Sequence, residues 1–143
     1  MIDTEDQSAL IRDIMTTPVL SVTLNQTVRR VLLLAKEKNV TGFPVVDMNR
    51  KVIGVVSTLD LITEVALGKL HLKLGELPLV IKVEKDVIKL RPDTPLKEAL
   101  LILVKKRVGR VIITDEENKL CGIVSRKDLV NYFIDVNHLE TGI

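Results

Sequence analysis

The chain has 143 residues, with 21 Lys and Arg against 19 Asp and Glu for a formal net charge of +2. Its 46% apolar share rests on 13 Ile, 22 Leu and 20 Val, with Phe43, Tyr132 and Phe133 as the aromatics and no Trp. That balance excludes intrinsic disorder, which needs low hydrophobicity, and a stacking platform for single-stranded nucleic acid. A charge this close to zero also offers a polyanion little attraction.

The N-terminus, Met1-Ile2-Asp3-Thr4-Glu5-Asp6, is acidic and lacks the basic-then-apolar order of a signal peptide. Cys121 is the single cysteine, which fits a reducing compartment. No apolar run approaches the roughly 18 residues of a membrane span. The expected location is the cytoplasm, without membrane insertion.

In chain order, a short apolar strand is predicted at Val19–Val22, followed by a helix. Val28, Val31, Leu32, Leu34 and Ala35 set the helical period. Phe43–Val46 and Val52–Val56 are β-rich runs joined by the polar turn Met48-Asn49-Arg50, and a second helix starts near Ser57. The Leu/Lys alternation across 67–78, bounded by glycines and Pro78, reads as a partly packed connector. The pattern then recurs: strand Val87–Leu90, and a helix through Leu96, Ala99, Leu100, Leu103 and Val104. Thr94 is expected to cap that helix, with Pro95 at its first position. Runs Val111–Ile113 and Leu120–Val124 flank the turn Glu116-Glu117-Asn118, and a last helix starts near Ser125.

Sliding the chain on itself by 68 positions aligns Val19–Leu61 without a gap and gives 12 identities in 43 positions, among them Gly54/Gly122, Ser57/Ser125 and Asp60/Asp128. The same unit is therefore present twice. One copy alone would bury too little surface to be stable. The expected architecture is a mixed α+β fold of two pseudo-symmetric repeats packed sheet to sheet: repeat 1 at 8–66, connector at 67–78 and repeat 2 at 79–137.

The strongest shared string is Gly54-Val55-Val56-Ser57-Thr58-Leu59-Asp60, repeated as Gly122-Ile123-Val124-Ser125-Arg126-Lys127-Asp128. One reading is a capping box at a helix start. The other is a ligand site, in which the helix N-terminus takes a phosphate, the serine hydroxyl bonds the ligand and the carboxylate grips two ribose hydroxyls. Both use the same geometry, and both stay open on the residues alone.

These strings, with Val40-Thr41-Gly42-Phe43-Pro44-Val45-Val46-Asp47 and the opening Ile11-Arg12-Asp13-Ile14-Met15-Thr16-Thr17-Pro18-Val19, resemble the cystathionine β-synthase (CBS) domain. Two tandem copies resemble the CBS pair, or Bateman module, over about residues 8–135. The resemblance implies a regulatory, non-catalytic module that binds AMP, ADP, ATP or S-adenosylmethionine in clefts between the repeats. It implies no required cofactor and no metal, a homodimer, and a regulated partner protein. One site would combine Ser125 and Asp128 with Thr16, Leu20, Val40, Thr41, Gly42 and Pro44. The other would combine Ser57 and Asp60 with Val83, Ile88, Val108, Gly109, Arg110 and Ile112. Arg110, Arg126 and Lys127 are the candidates for phosphates, ahead of Lys105, Lys106 and Arg107. Ile112 replaces Pro44 in the second copy, and Ile81–Asp86 lacks the Met-Thr-Thr-Pro form of the first opening. The Ser125/Asp128 site is therefore expected to bind more tightly. The alternative is a dimerisation or assembly module with degenerate pockets.

Catalysis finds little support. His71 and His138 are the two histidines, far apart in sequence, and Cys121 is expected as an inert core thiol. The run Lys105–Arg110 could touch nucleic acid, but the net charge argues against it.

Overall fold

The computed structural model describes residues 9–77, 81–83, 88–107 and 109–137. Two compact units form: a contiguous one, Leu20–Ile88, and a discontinuous one that joins Met1–Val19 to Lys89–Ile143. The contiguous unit holds α1 (Val28–Lys38), β1 (Gly42–Val46), β2 (Val52–Ser57), α2 (Thr58–Ala66) and β3 (Lys82–Val83). The discontinuous unit holds β4 (Lys89–Leu90), α3 (Leu96–Lys106), β5 (Arg110–Thr114), β6 (Leu120–Ser125) and α4 (Arg126–Asn137). The strand orders are β1-β2-β3 and β4-β5-β6.

The repeat is kept down to register. β1 runs antiparallel to β2 with Gly42 opposite Ser57, and β5 antiparallel to β6 with Arg110 opposite Ser125. Both pairings slip at equivalent points, Val45/Val46 and Ile113/Thr114. Val22 bridges Val45 in parallel, as Leu90 pairs with Ile113. The strand expected at Val19–Val22 is thus a single bridge, and its counterpart is the two residues of β4. Val87, Val108, His138 and the Glu84–Asp86 part of the expected opening lie outside the described residues.

Helix ends follow local chemistry. The Thr27 side chain accepts from the Arg30 N–H at 3.1 Å and starts α1. At the equivalent point of α3, Pro95 occupies the cap position and gives no side-chain bond. The Thr94 hydroxyl instead accepts from the Arg91 N–H of the preceding turn at 3.2 Å, so the expected Thr94 cap is corrected by one residue. Both helices end on a left-handed residue, Asn39 at φ 55° and Arg107 at φ 51°.

The two hairpin turns are also copies. Asp47 Oδ1 accepts from the Asn49 and Lys51 N–H groups at 2.8 and 3.0 Å, and Asp115 Oδ1 from Glu117 and Lys119 at 2.8 and 2.9 Å. Each turn closes on a left-handed residue at φ 64°, Arg50 in one and Asn118 in the other. Asn tolerates this conformation better than a long side chain does. Arg50→Asn is therefore expected to raise stability by about 1 kcal/mol in urea denaturation. The backbone N–H of Lys119 holds the Asp115 carboxyl below its ordinary value, helped by that of Glu117 and the nearby Lys119 and Arg91 charges, against a smaller opposing effect of burial. A lowered folded value adds stability that is complete above the ordinary carboxylate range and lost as pH falls through the folded value. Asp115→Asn should therefore flatten the acid limb of the Tm-against-pH curve.

The opening turn shows where the second repeat begins. In the discontinuous unit, a 3-10 turn at Ile11–Asp13 lies against the start of α3: the Ile11 N–H donates to the Thr94 carbonyl at 2.9 Å and Arg12 to Pro92 at 3.1 Å. In the contiguous unit, a 3-10 turn at Leu74–Glu76 lies the same way against the start of α1. There Leu74 donates to Gln26 at 2.9 Å and Gly75 to Leu24 at 3.0 Å. The counterpart of Ile11 is therefore Leu74, a shift of 63 positions instead of 68, and the opening expected at Ile81–Asp86 moves into the connector. The connector also serves α1 directly. The carbonyls of Leu72 and Leu70 accept from the Val28 and Arg29 N–H groups at 2.9 and 3.0 Å, two donors that a helix start otherwise leaves unpaired. Leu74 and Leu77 then enter the aliphatic core with Val22, Val31, Phe43 and Leu61.

Candidate functional site

In each unit a strand delivers a serine directly into a helix. Ser57 ends β2 and caps α2; its hydroxyl donates to Asp60 Oδ2 at 2.9 Å and accepts from the Asp60 N–H at 3.2 Å. Ser125 ends β6 ahead of α4. Its hydroxyl lies 3.1 Å from Asp128 Oδ2, its own N–H donates to that oxygen at 2.8 Å, and it accepts from the Asp128 N–H at 3.3 Å. The second string therefore closes as a full capping box, whereas in the first Ser57 caps the helix and Asp60 bonds only its hydroxyl.

The two sites differ in a third group. The Thr16 hydroxyl reaches Asp128 Oδ1 at 3.4 Å, a long contact from 112 positions away. Thr16 is held there by backbone pairing with Ile123, its N–H donating at 2.9 Å and its carbonyl accepting at 3.3 Å. Ser125, Asp128 and Thr16 are thus brought together, with Asp128 Oδ2 committed to the cap and Oδ1 facing, among the described residues, only the long contact from Thr16. Gly122 lets the Thr16 strip come this close. A Cβ there would stand 2.5 Å from Met15 Sδ and 2.9 Å from its Cγ. Gly122→Ala is expected to cost about 1–3 kcal/mol in urea unfolding, the range for an overpacked site. It should also move the Thr16 amide resonance more than any other outside the β5–β6 hairpin.

One part of the ligand reading needs correction. The first N–H of α2, on Thr58, already donates to the Thr41 carbonyl at 2.9 Å, and the third goes to Ser57. In α4 the Arg126 N–H donates to the Gly109 carbonyl at 3.0 Å, and the Asp128 N–H goes to Ser125. The helix starts therefore have few donors left for phosphate.

The remaining candidates are placed as follows. Leu20 is 40% exposed, just ahead of Val22. Val40 is half-buried and donates to the Ala35 carbonyl at 3.1 Å as the chain leaves α1. Thr41 is exposed, Gly42 opens β1 opposite Ser57, and Pro44 is buried in β1 with its carbonyl accepting from Val22 at 3.0 Å. Ile112 is buried in β5, paired with Ile123 and Lys89. The Val83 backbone pairs with Gly54, Ile88 is half-buried, and Gly109 is exposed. Arg110 opens β5 beside Ser125, and Lys127 is exposed. Arg126 is exposed at the start of α4, on the outer stripe with Val130 and Phe133. Sequence reasoning missed Met15 and Gly122 as the parts that seat Thr16; the signal was the repeated glycine of the motif.

Cys121 is half-buried and its Sγ lies 3.6 Å from the Lys119 carbonyl. Alternation along β6 puts it on the partly exposed face with Ile123 and Ser125, which corrects the expected core thiol. His71 is exposed. Among the described residues no group of three or more His, Cys, Asp or Glu side chains gathers to hold a metal, and no helix is long and apolar enough to cross a membrane.

A protein-family model described as CBS domain matches residues 11–67 and again 76–135. Among curated relatives, protein MJ1232 of Methanocaldococcus jannaschii is 35% identical over 112 residues, which are 78% of this chain and 35% of that protein. The chain spans 45% of MJ0188 from the same organism, so it covers less than half of either relative. Among solved structures, CBSX2 in complex with AMP is 28% identical with a TM-score of 0.75, covering 90% of this chain and 98% of that one; CBSX2 is a CBS-pair protein from Arabidopsis thaliana. The CBS domain pair of MJ0100, in complex with 5-methylthioadenosine and S-adenosyl-L-methionine, shares the fold at 20% identity and a TM-score of 0.75, covering 90% and 98%.

Proposed function

The chain belongs to the CBS domain family, and on that premise we propose that it is a regulatory module that binds an adenosine-containing nucleotide and passes the event to a partner protein. The observation that carries this reading is the convergence of Thr16, Ser125 and Asp128, with Asp128 Oδ1 held, among the described residues, only by a long 3.4 Å contact. A ribose offers two adjacent hydroxyl donors. One carboxylate oxygen with a weak partner is a ready acceptor, and a charge-assisted bond there is stronger than the contact it replaces. Arg110, Arg126 and Lys127 are the cationic side chains near in sequence and register for a phosphate, since the first and third amides of each helix are already occupied. Leu20, Val40, Thr41, Gly42, Pro44, Val108 and Ile112 complete the two adenosine sites, and Ser57 with Asp60 anchors the second. AMP is the first candidate, supported by its presence on CBSX2; ADP, ATP and S-adenosylmethionine follow.

The module binds and regulates and carries out no catalysis. It works as a cytoplasmic homodimer whose two states differ in nucleotide affinity, which is what regulation requires. Calorimetric titration of the chain with AMP, ADP, ATP and S-adenosylmethionine tests the reading. Saturable heat with at least one supports it, and no heat with any of the four overturns it.

The competing assembly reading draws on one observation: both Ser-x-x-Asp strings bond internally, each serine capping its helix and each aspartate accepting from the serine. It expects Asp60→Ala and Asp128→Ala to lower stability and nothing else.

A further inference from the structure

The segment that carries Thr16 to Asp128 is pinned on both sides of one methionine side chain. Behind it, the Met15 N–H donates to the carbonyl of fully buried Ile11 at 3.0 Å. Ahead of it, Thr16 pairs with Ile123 as an isolated bridge whose two bonds measure 2.9 and 3.3 Å. The half-buried Met15 side chain lies flat on Gly122: a Cβ there would meet Sδ, Cγ and Cβ of Met15 at 2.5, 2.9 and 3.2 Å. Not even a methyl group fits between the two, so the thioether is the spacer that sets the height of Thr16 above its strand.

Two other positions serve as internal controls. Met48 is 98% exposed in the β1–β2 turn and reports how fast an unhindered thioether reacts. In the contiguous unit Lys82 pairs with Val55 as Thr16 pairs with Ile123, which puts Ile81 at the register position of Met15. Isoleucine carries no sulfur, so the feature belongs to the Ser125/Asp128 site alone.

We propose that Met15 is an oxidation site, and that its conversion to the sulfoxide releases Thr16 and weakens the nucleotide site at Asp128. The consequence for ligand rests on the nucleotide reading above; the release of Thr16 does not. The oxidant is a hydroperoxide, with hydrogen peroxide as the simplest. The Sδ lone pair attacks one peroxide oxygen, so that an S–O bond forms as the O–O bond breaks and sulfur is oxidised by two electrons. The proton left on the sulfur-bound oxygen passes to the departing hydroxide, which leaves as water. The product is polar where the thioether was apolar, and bulkier by one oxygen. A contact too close for a methyl group cannot admit that oxygen on the Gly122 side, and turning it outward withdraws the side chain from the strand. With the Met15 backbone held by Ile11, the displacement falls on the two Thr16–Ile123 bonds.

The full chain, native and Cys121→Ser to remove the neighbouring thiol, is treated with hydrogen peroxide. Trypsin separates the methionines into peptides 1–12, 13–29 and 39–50, so each sulfoxide is counted by the oxygen it adds. Met15 is expected to oxidise to completion, more slowly than Met48. Hydrogen exchange of the Thr16 and Ile123 amides should then rise at least about tenfold, as local opening becomes easier. AMP affinity by calorimetry should fall about fivefold or more, with the share of chains in which Thr16 is seated. Met15→Leu keeps an apolar side chain without the reactive lone pair, so in that variant neither quantity should respond to peroxide. The proposal is overturned if Met15 stays reduced when Met48 is fully oxidised, or if Thr16 exchange or AMP affinity is unchanged once Met15 is oxidised. An equal response to peroxide in Met15→Leu overturns it too. Absence of heat with AMP on the reduced chain counts against the nucleotide reading instead, and Thr16 exchange, which needs no ligand, then decides whether Met15 holds the segment.

Discussion

Replacing Asp128 by alanine is expected to weaken AMP binding about 10- to 100-fold, the equivalent of about 1.5–3 kcal/mol of hydrogen bonding to a charged group. The same change removes the partner of both the Ser125 hydroxyl and its N–H, at 3.1 and 2.8 Å, so stability should fall by about 1 kcal/mol as well. Asp60→Ala removes the equivalent carboxylate in the contiguous unit while Ser57 keeps its bond from the backbone N–H, and it tests the second site in the same way. Calorimetry and urea denaturation on both variants read affinity and stability independently. Loss of affinity in Asp128→Ala beyond the loss of folded protein supports the nucleotide site. Equal stability losses with native AMP affinity in both variants would leave only the caps.

Leu74→Ala is expected to be the most destabilising single change in the segment between the repeats, at about 2–5 kcal/mol in denaturant unfolding. Leu74 is fully buried, sits in the core with Val28 and Val31, and its N–H is bonded to Gln26. Truncating it leaves a cavity beneath the start of α1 that neighbouring backbone, fixed by the Leu72 and Leu70 carbonyls, cannot close. Lys73→Ala, one residue earlier and exposed, should change stability by no more than about 0.5 kcal/mol. A small effect at Leu74 would mean that the connector is dispensable to the fold.

The repeat was legible because the two copies keep their aliphatic periods, their Asp turns and their Ser-x-x-Asp strings at one constant spacing. The structure extends that symmetry to left-handed residues: Asn39 matches Arg107 and Arg50 matches Asn118. No local pattern marks Arg107 or Arg50 as left-handed, since arginine has no such preference; only its repeat partner reveals it. The opening of the second repeat was illegible for a different reason. Leu74-Gly75-Glu76 shares no identity with Ile11-Arg12-Asp13, and the spacing changes from 68 to 63 across that stretch. What the two segments share is backbone bonding to a helix start, which side-chain pattern does not record. Of the site, Ser125 and Asp128 were read from the motif and Thr16 from the family resemblance.

The exchange of openings between the units sets an order of assembly on the ribosome. Leu20–Ile88 is one unbroken stretch, so every strand and helix it needs has been synthesised by the time Ile88 emerges. Residues 9–16 are made before that unit, yet the partners they bond outside their own strip begin only after Lys89. Thr16 must wait for Asp128, 112 positions later. Loop-closure entropy grows only slowly with such a separation, so the wait affects rate far more than final stability. A nascent chain stalled just past Ile88 would hold one finished unit and an unpaired leading strip. The Thr16–Asp128 contact cannot form before Asp128 itself has been made.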